Sequence, residues 1–348
     1  MNRLVKKLAE DHLLAKDEFI TLLRERDEAL AQELTKMARN VRKEQFGKTV
    51  YIRGLIEFTN YCRNDCYYCG IRRSNAKALR YRLTKEEILS CCREGYDLGF
   101  RTFVLQGGED GYFTADRLAD IIESIKSAYP DCAVTLSVGE HSRETYQRWK
   151  DAGADRYLLR HETAGEAHYR RLHPPELSLA RRKECLWDLK DLGYQVGTGF
   201  MVGSPYQTME NLAEDLLFIA NLAPQMVGIG PFLTHRDTPF RDQPSGSAGM
   251  TLYLLSILRL MLPKVLLPAT TALGTVADDG RERGILAGAN VVMPNLSPLA
   301  VRSKYLLYDN KIATGSEAAE GLEDLKKRMA KIGYEVVVAR GDAPDMEN

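Results

Sequence analysis

The chain has no surplus of either charge. Lys plus Arg and Asp plus Glu both number 48 in 348 residues, which argues against a nucleic-acid or anionic-membrane partner. It has no apolar run near the roughly 20 residues a membrane span needs, and it shows neither an internal repeat nor a low-complexity segment. Its first residues, Met1 to Lys7, lead into a charged helical pattern rather than a secretory leader. Cysteine is sparse, odd in number at seven, and uneven, with three crowded into Cys62, Cys66 and Cys69. Such a count excludes a disulfide framework and points to metal binding in a reducing cytoplasm.

What is present is a soluble globular composition, 44% apolar and 28% charged. Residues 1–46 carry apolar side chains at helical spacing and are expected to form a helical N-terminal cap. From residue 50, short apolar runs alternate with amphipathic helical stretches. The runs lie at 51–58, 101–105, 133–137, 155–159, 195–201, 226–229, 265–267 and 289–293. The helices between them are expected at 84–98, 115–128, 142–151, 177–192, 209–222, 249–261 and 279–287. Eight alternations predict a complete α/β (β/α)8 barrel over 47–315. A last helix near 316–332 and a frayed tail from Arg340 fill out a C-terminal segment, 316–348.

A barrel gathers its chemistry at the C-terminal ends of the strands. The cysteines follow the first strand, spaced C-x-x-x-C-x-x-C. Three thiolates this close can hold three corners of a cubane iron–sulfur cluster, and no fourth cysteine is near, so one iron stays open for chemistry. The competing reading is a zinc site completed by a remote ligand such as His141 or His161. Tyr68 precedes the third cysteine. Gly107-Gly108-Glu109 follows the second strand, where glycines admit close backbone approach and a carboxylate can accept from an ammonium group. Arg160, His161 and Glu162 follow the fourth strand, and Arg182 lies early in the next helix beside Arg181. Thr270 and Thr271 end the seventh strand, with alternation bringing one of the two to the cavity. His235 reads equally as a ligand, a base or an ordinary loop histidine. Cys91, Cys92, Cys132 and Cys185 read as small buried side chains.

The cysteine spacing, the aromatic at Tyr68 and the glycine-rich acidic turn together resemble the radical S-adenosylmethionine (radical SAM) enzymes. Within them the chain is most similar to the hydrogenase-maturase family of HydE, in the group with biotin synthase and methylornithine synthase. The likeness runs from about residue 40 to 310 and includes Ile56 to Asn60, Gln106 to Asp110, Asp155 to Thr163, Met226 to Phe232, Pro268 to Gly274 and Val291 to Asn295. It implies a 4Fe–4S cluster on Cys62, Cys66 and Cys69, with S-adenosylmethionine on the open iron and cleaved to a 5′-deoxyadenosyl radical. Contacts to S-adenosylmethionine would come from Tyr68, Gly107, Gly108, Glu109, Glu162, Arg182 and Met201. Substrate contacts would come from Arg156, Arg160, Thr270, Thr271 and Tyr305, suited to a small iron–cysteine complex with carbonyl and cyanide ligands. The implied partners are other hydrogenase maturases (HydG-like and HydF-like) and an electron donor. No cysteine follows Cys185, so a single cluster is expected, without the auxiliary one some relatives carry. The rival readings are a methylornithine synthase or biotin synthase-like enzyme and, from another class, an iron–sulfur electron carrier.

Overall fold

A computed structural model describes residues 2–312 and 318–344. The first barrel strand, β1, is split into Thr49–Ile52 and Gly54–Thr59. It is followed by β2 (Thr102–Gly107), β3 (Ala133–Ser137), β4 (Arg156–Leu158), β5 (Gln195–Thr198) and β6 (Met226–Val227), and the second half of β1 through β6 forms one parallel sheet. The seventh position is reduced to parallel bridges, Met226 with Leu266 and Pro268 with Val291. β8 (Val291–Val292) then pairs with Tyr51 and Ile52, and Asn295 bridges Leu55, closing the ring. All six residues of Gly54–Thr59 are buried, as expected of a parallel strand covered on both faces.

The intervening helices fall within two residues of the expected bounds: Lys85–Asp97, Ala115–Ala128, Arg143–Asp151, Leu179–Asp191, Met209–Leu222, Ala248–Met261 and Gly280–Leu286. Caps set several starts. Thr84 and Glu87 form a reciprocal capping box, and Thr114, Ser142 and Ser178 each accept from a first-turn N–H. Sequence periodicity overlooks the short helices Glu166–Leu172 and Thr271–Val276. The last helix is Leu322–Lys331; the start expected for it, 316–317, lies outside the described residues.

The N-terminal region is three helices, Arg3–Asp11, Lys16–Arg24 and Glu28–Phe46. Arg3–Asp11 and Glu28–Phe46 pack over helix Ala248–Met261, which explains why that helix is apolar nearly all round, while Lys16–Arg24 packs mainly on Met209–Leu222. The Tyr253 hydroxyl donates to Leu22 O at 2.9 Å, and fully buried Arg42 donates to Ala289 O at 2.9 Å and Thr49 O at 2.6 Å.

The C-terminal end differs from expectation. Glu335–Val337 adds a parallel strand to Thr49–Ile52, and Arg340 to Pro344 are not a frayed tail but a plug under the barrel. Arg340 pairs with Asp155 and Asp342, each at 2.9 Å, while Asp342 accepts from Arg156 at 2.6 Å and Gln195 at 2.9 Å. Helical and apolar periodicity carry no signal for such a plug, because its bonds are polar contacts to residues distant in sequence. Asp342→Ala is expected to lower stability by about 1–3 kcal/mol, since it strips a charge-assisted partner from buried Arg156. Chemical denaturation would measure the loss, and an unchanged midpoint would contradict the plug.

Candidate active site

The cysteine loop leaves β1 at Thr59 and is tied down by its own polar groups. Arg80 donates to Ile71 O at 2.8 Å and Arg72 O at 2.6 Å, and also to Asn60 O. Arg72 grips Asp65 through two bonds of 2.8 and 2.7 Å. Cys69 N donates to Cys66 O at 3.3 Å and Gly70 N to Leu307 O at 2.9 Å. The glycine turn after β2 abuts this loop. A Cβ on Gly108 would lie 2.2 Å from Tyr61 O and 2.7 Å from Cys62 Cβ, so only glycine fits there.

The loop forms one wall of a cavity of about 300 Å³ at the C-terminal mouth of the barrel. Cys62, Cys66 and Cys69 line it together, and so do Tyr68, Gly107, Gly108, Glu109, Glu162, Arg182 and Met201. Burial pushes the thiols up, Cys69 to about 12, and Cys66 well above the ordinary range. Without metal the thiols are therefore held protonated, so binding it releases protons.

Around the thiols lies a network of buried charge. Glu109 Oε2 accepts from Arg63 at 2.9 Å and Oε1 from the backbone N–H of Glu140, also at 2.9 Å. Gly139, at φ +85°, makes room, since a Cβ there would lie 2.0 Å from Glu109 Cγ. Glu140 pairs with Arg182 at 2.7 Å, both side chains buried. Burial opposes charge on Arg182, but Glu140, Tyr169 and Glu109 more than offset it, and the guanidinium stays ionised. Arg181 instead turns outward to Glu184 and His141 O, so Arg182 alone of the two lines the cavity.

Glu162 has a left-handed backbone at φ +64°, which costs a non-glycine residue about 1–3 kcal/mol. Its neighbours hold it there. Buried His161 contacts Thr198 Oγ1 at 2.9 Å and Asp215 Oδ1 at 3.3 Å, and Asp215 also accepts from Ala164 N at 2.5 Å. Burial drops His161 to about 3, so it is neutral. Arg160 donates to Glu162 Oε2 at 3.0 Å.

Arg160, Thr270 and Tyr305 also line the cavity. Thr270 Oγ1 and Arg160 Nε are buried with no hydrogen-bond partner among the described residues, which leaves polar groups facing a space fit for a polar ligand. Two expected residues are placed elsewhere. Arg156 opens β4, four residues before Arg160, and a strand rise of about 3.3 Å per residue puts it roughly 13 Å below the mouth. There it serves the C-terminal plug. Thr271 begins helix Thr271–Val276 and does not line the cavity, whereas Thr270 and Ala272 do. His235 is buried against Gly70, outside this cavity. The remaining four cysteines are buried and unpaired.

Gly139-Glu140 stands out in the sequence as a cluster after the third strand, but no role for Glu140 is legible there, because that role rests on Arg182 arriving from another helix. The sequence does not single out Lys311, which reaches from beyond β8 to pair with buried Glu57; Asn295 Nδ2 donates to the other Glu57 oxygen at 2.9 Å. A carboxylate inside an apolar strand was the available signal for Glu57.

The donor set fits a cubane. Among the described residues no three His, Cys, Asp or Glu side chains surround a single-ion position, but a cubane spreads its thiolates over separate irons and needs no such convergence. Neither His141 nor His161 lines the cavity as a fourth ligand. The Radical SAM superfamily profile matches residues 56–219. The [FeFe] hydrogenase maturase subunit HydE of Thermotoga maritima is 47% identical over 286 residues, 82% of this chain and 81% of that one. The chain belongs to the radical SAM superfamily. This radical SAM enzyme has a 4Fe–4S cluster and S-adenosylmethionine as its cofactors. It is also 28% identical to the 3-methylornithine synthase of Methanosarcina acetivorans over 96% of this chain and 94% of the relative. A crystal structure of methylornithine synthase (PylB) superposes with a TM-score of 0.85 at 28% identity, covering 96% of this chain and 97% of that one. The hydrogenase maturase HydG shares the fold, with a TM-score of 0.80 at 21% identity over 96% of this chain and 75% of that one.

Proposed function

We propose that the enzyme acts in assembly of the two-iron part of the FeFe-hydrogenase active site, on a small iron–cysteine complex carrying carbonyl and cyanide ligands. The observation that carries this reading is the 47% identity to HydE, well above the 28% to methylornithine synthase. In this reading Cys62, Cys66 and Cys69 ligate the cluster. When bound, the reduced cluster and S-adenosylmethionine supply a 5′-deoxyadenosyl radical. Glu109 faces the amino group of S-adenosylmethionine, Arg182 its carboxylate and Glu162 its ribose, while Met201, Tyr68 and the two glycines shape the pocket. Arg160, Thr270 and Tyr305 hold the substrate, the free Arg160 Nε and Thr270 Oγ1 being suited to cyanide or carboxylate acceptors. Cytoplasmic partners supplying and receiving the iron complex belong to the same proposal. Among the described residues no helix is long and apolar enough to cross a membrane.

Hydrogenase maturation reconstituted from purified maturases tests this directly. Active hydrogenase is expected with the protein and not without it. Methylornithine formed from lysine and S-adenosylmethionine would overturn the assignment in favour of the methylornithine synthases.

A further inference from the structure

A second depression of about 280 Å³ lies beside the cysteine loop, open to solvent. Gly70, which directly follows Cys69, lies in its wall, and Ile71 lines both this groove and the cluster cavity. The separation is thin for a local reason. A Cβ on Gly70 would lie 2.2 Å from Leu306 O and 2.3 Å from the His235 ring, so glycine lets these groups close against the cluster loop.

The rim is cationic in a chain with no net charge. Lys77, Arg236 and Lys304 line the groove against Asp237 and Asp309. The Lys77 and Arg236 side chains are 80% and 73% exposed and pair only at the surface, with Asp237 and Asp309. Each carboxylate is only about a fifth exposed and sits behind its cation, so the solvent-facing side of both cations is what a partner meets. Arg80 adds charge behind the rim, its guanidinium bonded to backbone carbonyls rather than to a carboxylate. Leu79, 70% exposed, stands at the edge as an apolar contact.

We propose that this groove docks the electron donor, a small acidic one-electron carrier protein. The inference rests on the radical SAM reading and adds the place where the electron enters. One electron leaves the donor and reaches the cluster by way of the Cys69–Gly70 segment; no bond to the protein forms or breaks. Cationic rim, single apolar contact and nearness to a cluster ligand are what a transient redox interface requires.

The test compares wild-type enzyme with the double variant Lys77→Glu, Arg236→Glu, using an acidic flavodoxin as probe. Binding of the oxidised flavodoxin, read by its flavin fluorescence, is expected to weaken about ten-fold or more in the variant and to lose most of its salt dependence. S-Adenosylmethionine cleavage driven by reduced flavodoxin should fall in parallel, while cleavage driven by dithionite is unchanged. Equal flavodoxin affinity in the two proteins, or wild-type binding indifferent to salt, overturns the proposal. So does an equal loss with both reductants. Failure of wild type to cleave S-adenosylmethionine with dithionite would instead count against the enzyme reading, and the binding comparison would still decide the docking surface.

Discussion

Cys66→Ala is expected to eliminate the iron–sulfur absorption of the reconstituted protein and to reduce 5′-deoxyadenosine formation to background. Two thiolates remain, too few to hold the cubane against chelation and solvent. The fold should survive. The loop is held by Arg80, by the Arg72–Asp65 pair and by backbone bonds to Glu109 O and Leu307 O, none of which uses the metal. Circular dichroism of the apo variant should therefore match apo wild type, and the stability cost of trimming one sulfur is about 1 kcal/mol. Cys185→Ala is the control. Its thiol is buried away from the cavity, so cluster content and cleavage should be retained. Full activity in the Cys66 variant would remove the basis for assigning the loop as the cluster site.

Arg182→Met carries the second large effect, and it acts twice. It removes the cation proposed to hold the carboxylate of S-adenosylmethionine, a charge-assisted bond of about 1.5–3 kcal/mol, or roughly a 10- to 100-fold loss of affinity. It also strands Glu140 in a buried site, at a cost of about 3–5 kcal/mol. The pH dependence follows from that second part. Burial raises the Glu140 carboxyl, and losing Arg182 raises it further, while in the unfolded chain it titrates normally. The unfolded state then releases a proton that the folded state keeps. The deficit relative to wild type is therefore largest at neutral pH and shrinks as pH falls into the ordinary carboxylate range. Denaturation midpoints of wild type and variant across that range would show it. Adding Glu140→Gln should recover much of the stability but none of the affinity. A variant that binds S-adenosylmethionine as tightly as wild type would contradict the assigned contact.

The barrel was legible in the sequence because its signal is local: apolar runs alternate with helical periodicity, and the run expected as a strand at 265–267 marks the seventh position although only single bridges form there. The cysteine loop was legible for the same reason, its three thiols lying within eight residues, and the structure brings all three to one cavity. What escaped depends on contacts distant in sequence. Arg156 and Arg160 are equally plausible cavity arginines until strand length shows that one sits at the base and the other at the mouth. The plug formed by Arg340 and Asp342 satisfies Arg156 from 186 residues away. Glu140 looks like a turn residue until Arg182 is placed beside it, and which of Arg181 and Arg182 lines the cavity depends on which face of helix Leu179–Asp191 meets it. The left-handed backbone at Glu162 has no compositional signature, since its support comes from Thr198 and Asp215 on other elements.

The central claim is that the open position beside Cys62, Cys66 and Cys69 serves the one-electron cleavage of S-adenosylmethionine. Anaerobically reconstituted wild-type protein, reduced with dithionite and mixed with S-adenosylmethionine, measures it most directly. The account predicts 5′-deoxyadenosine and methionine in equal amounts, both dependent on reduction. A protein that carries its cluster, is fully reduced and yields neither product would contradict it.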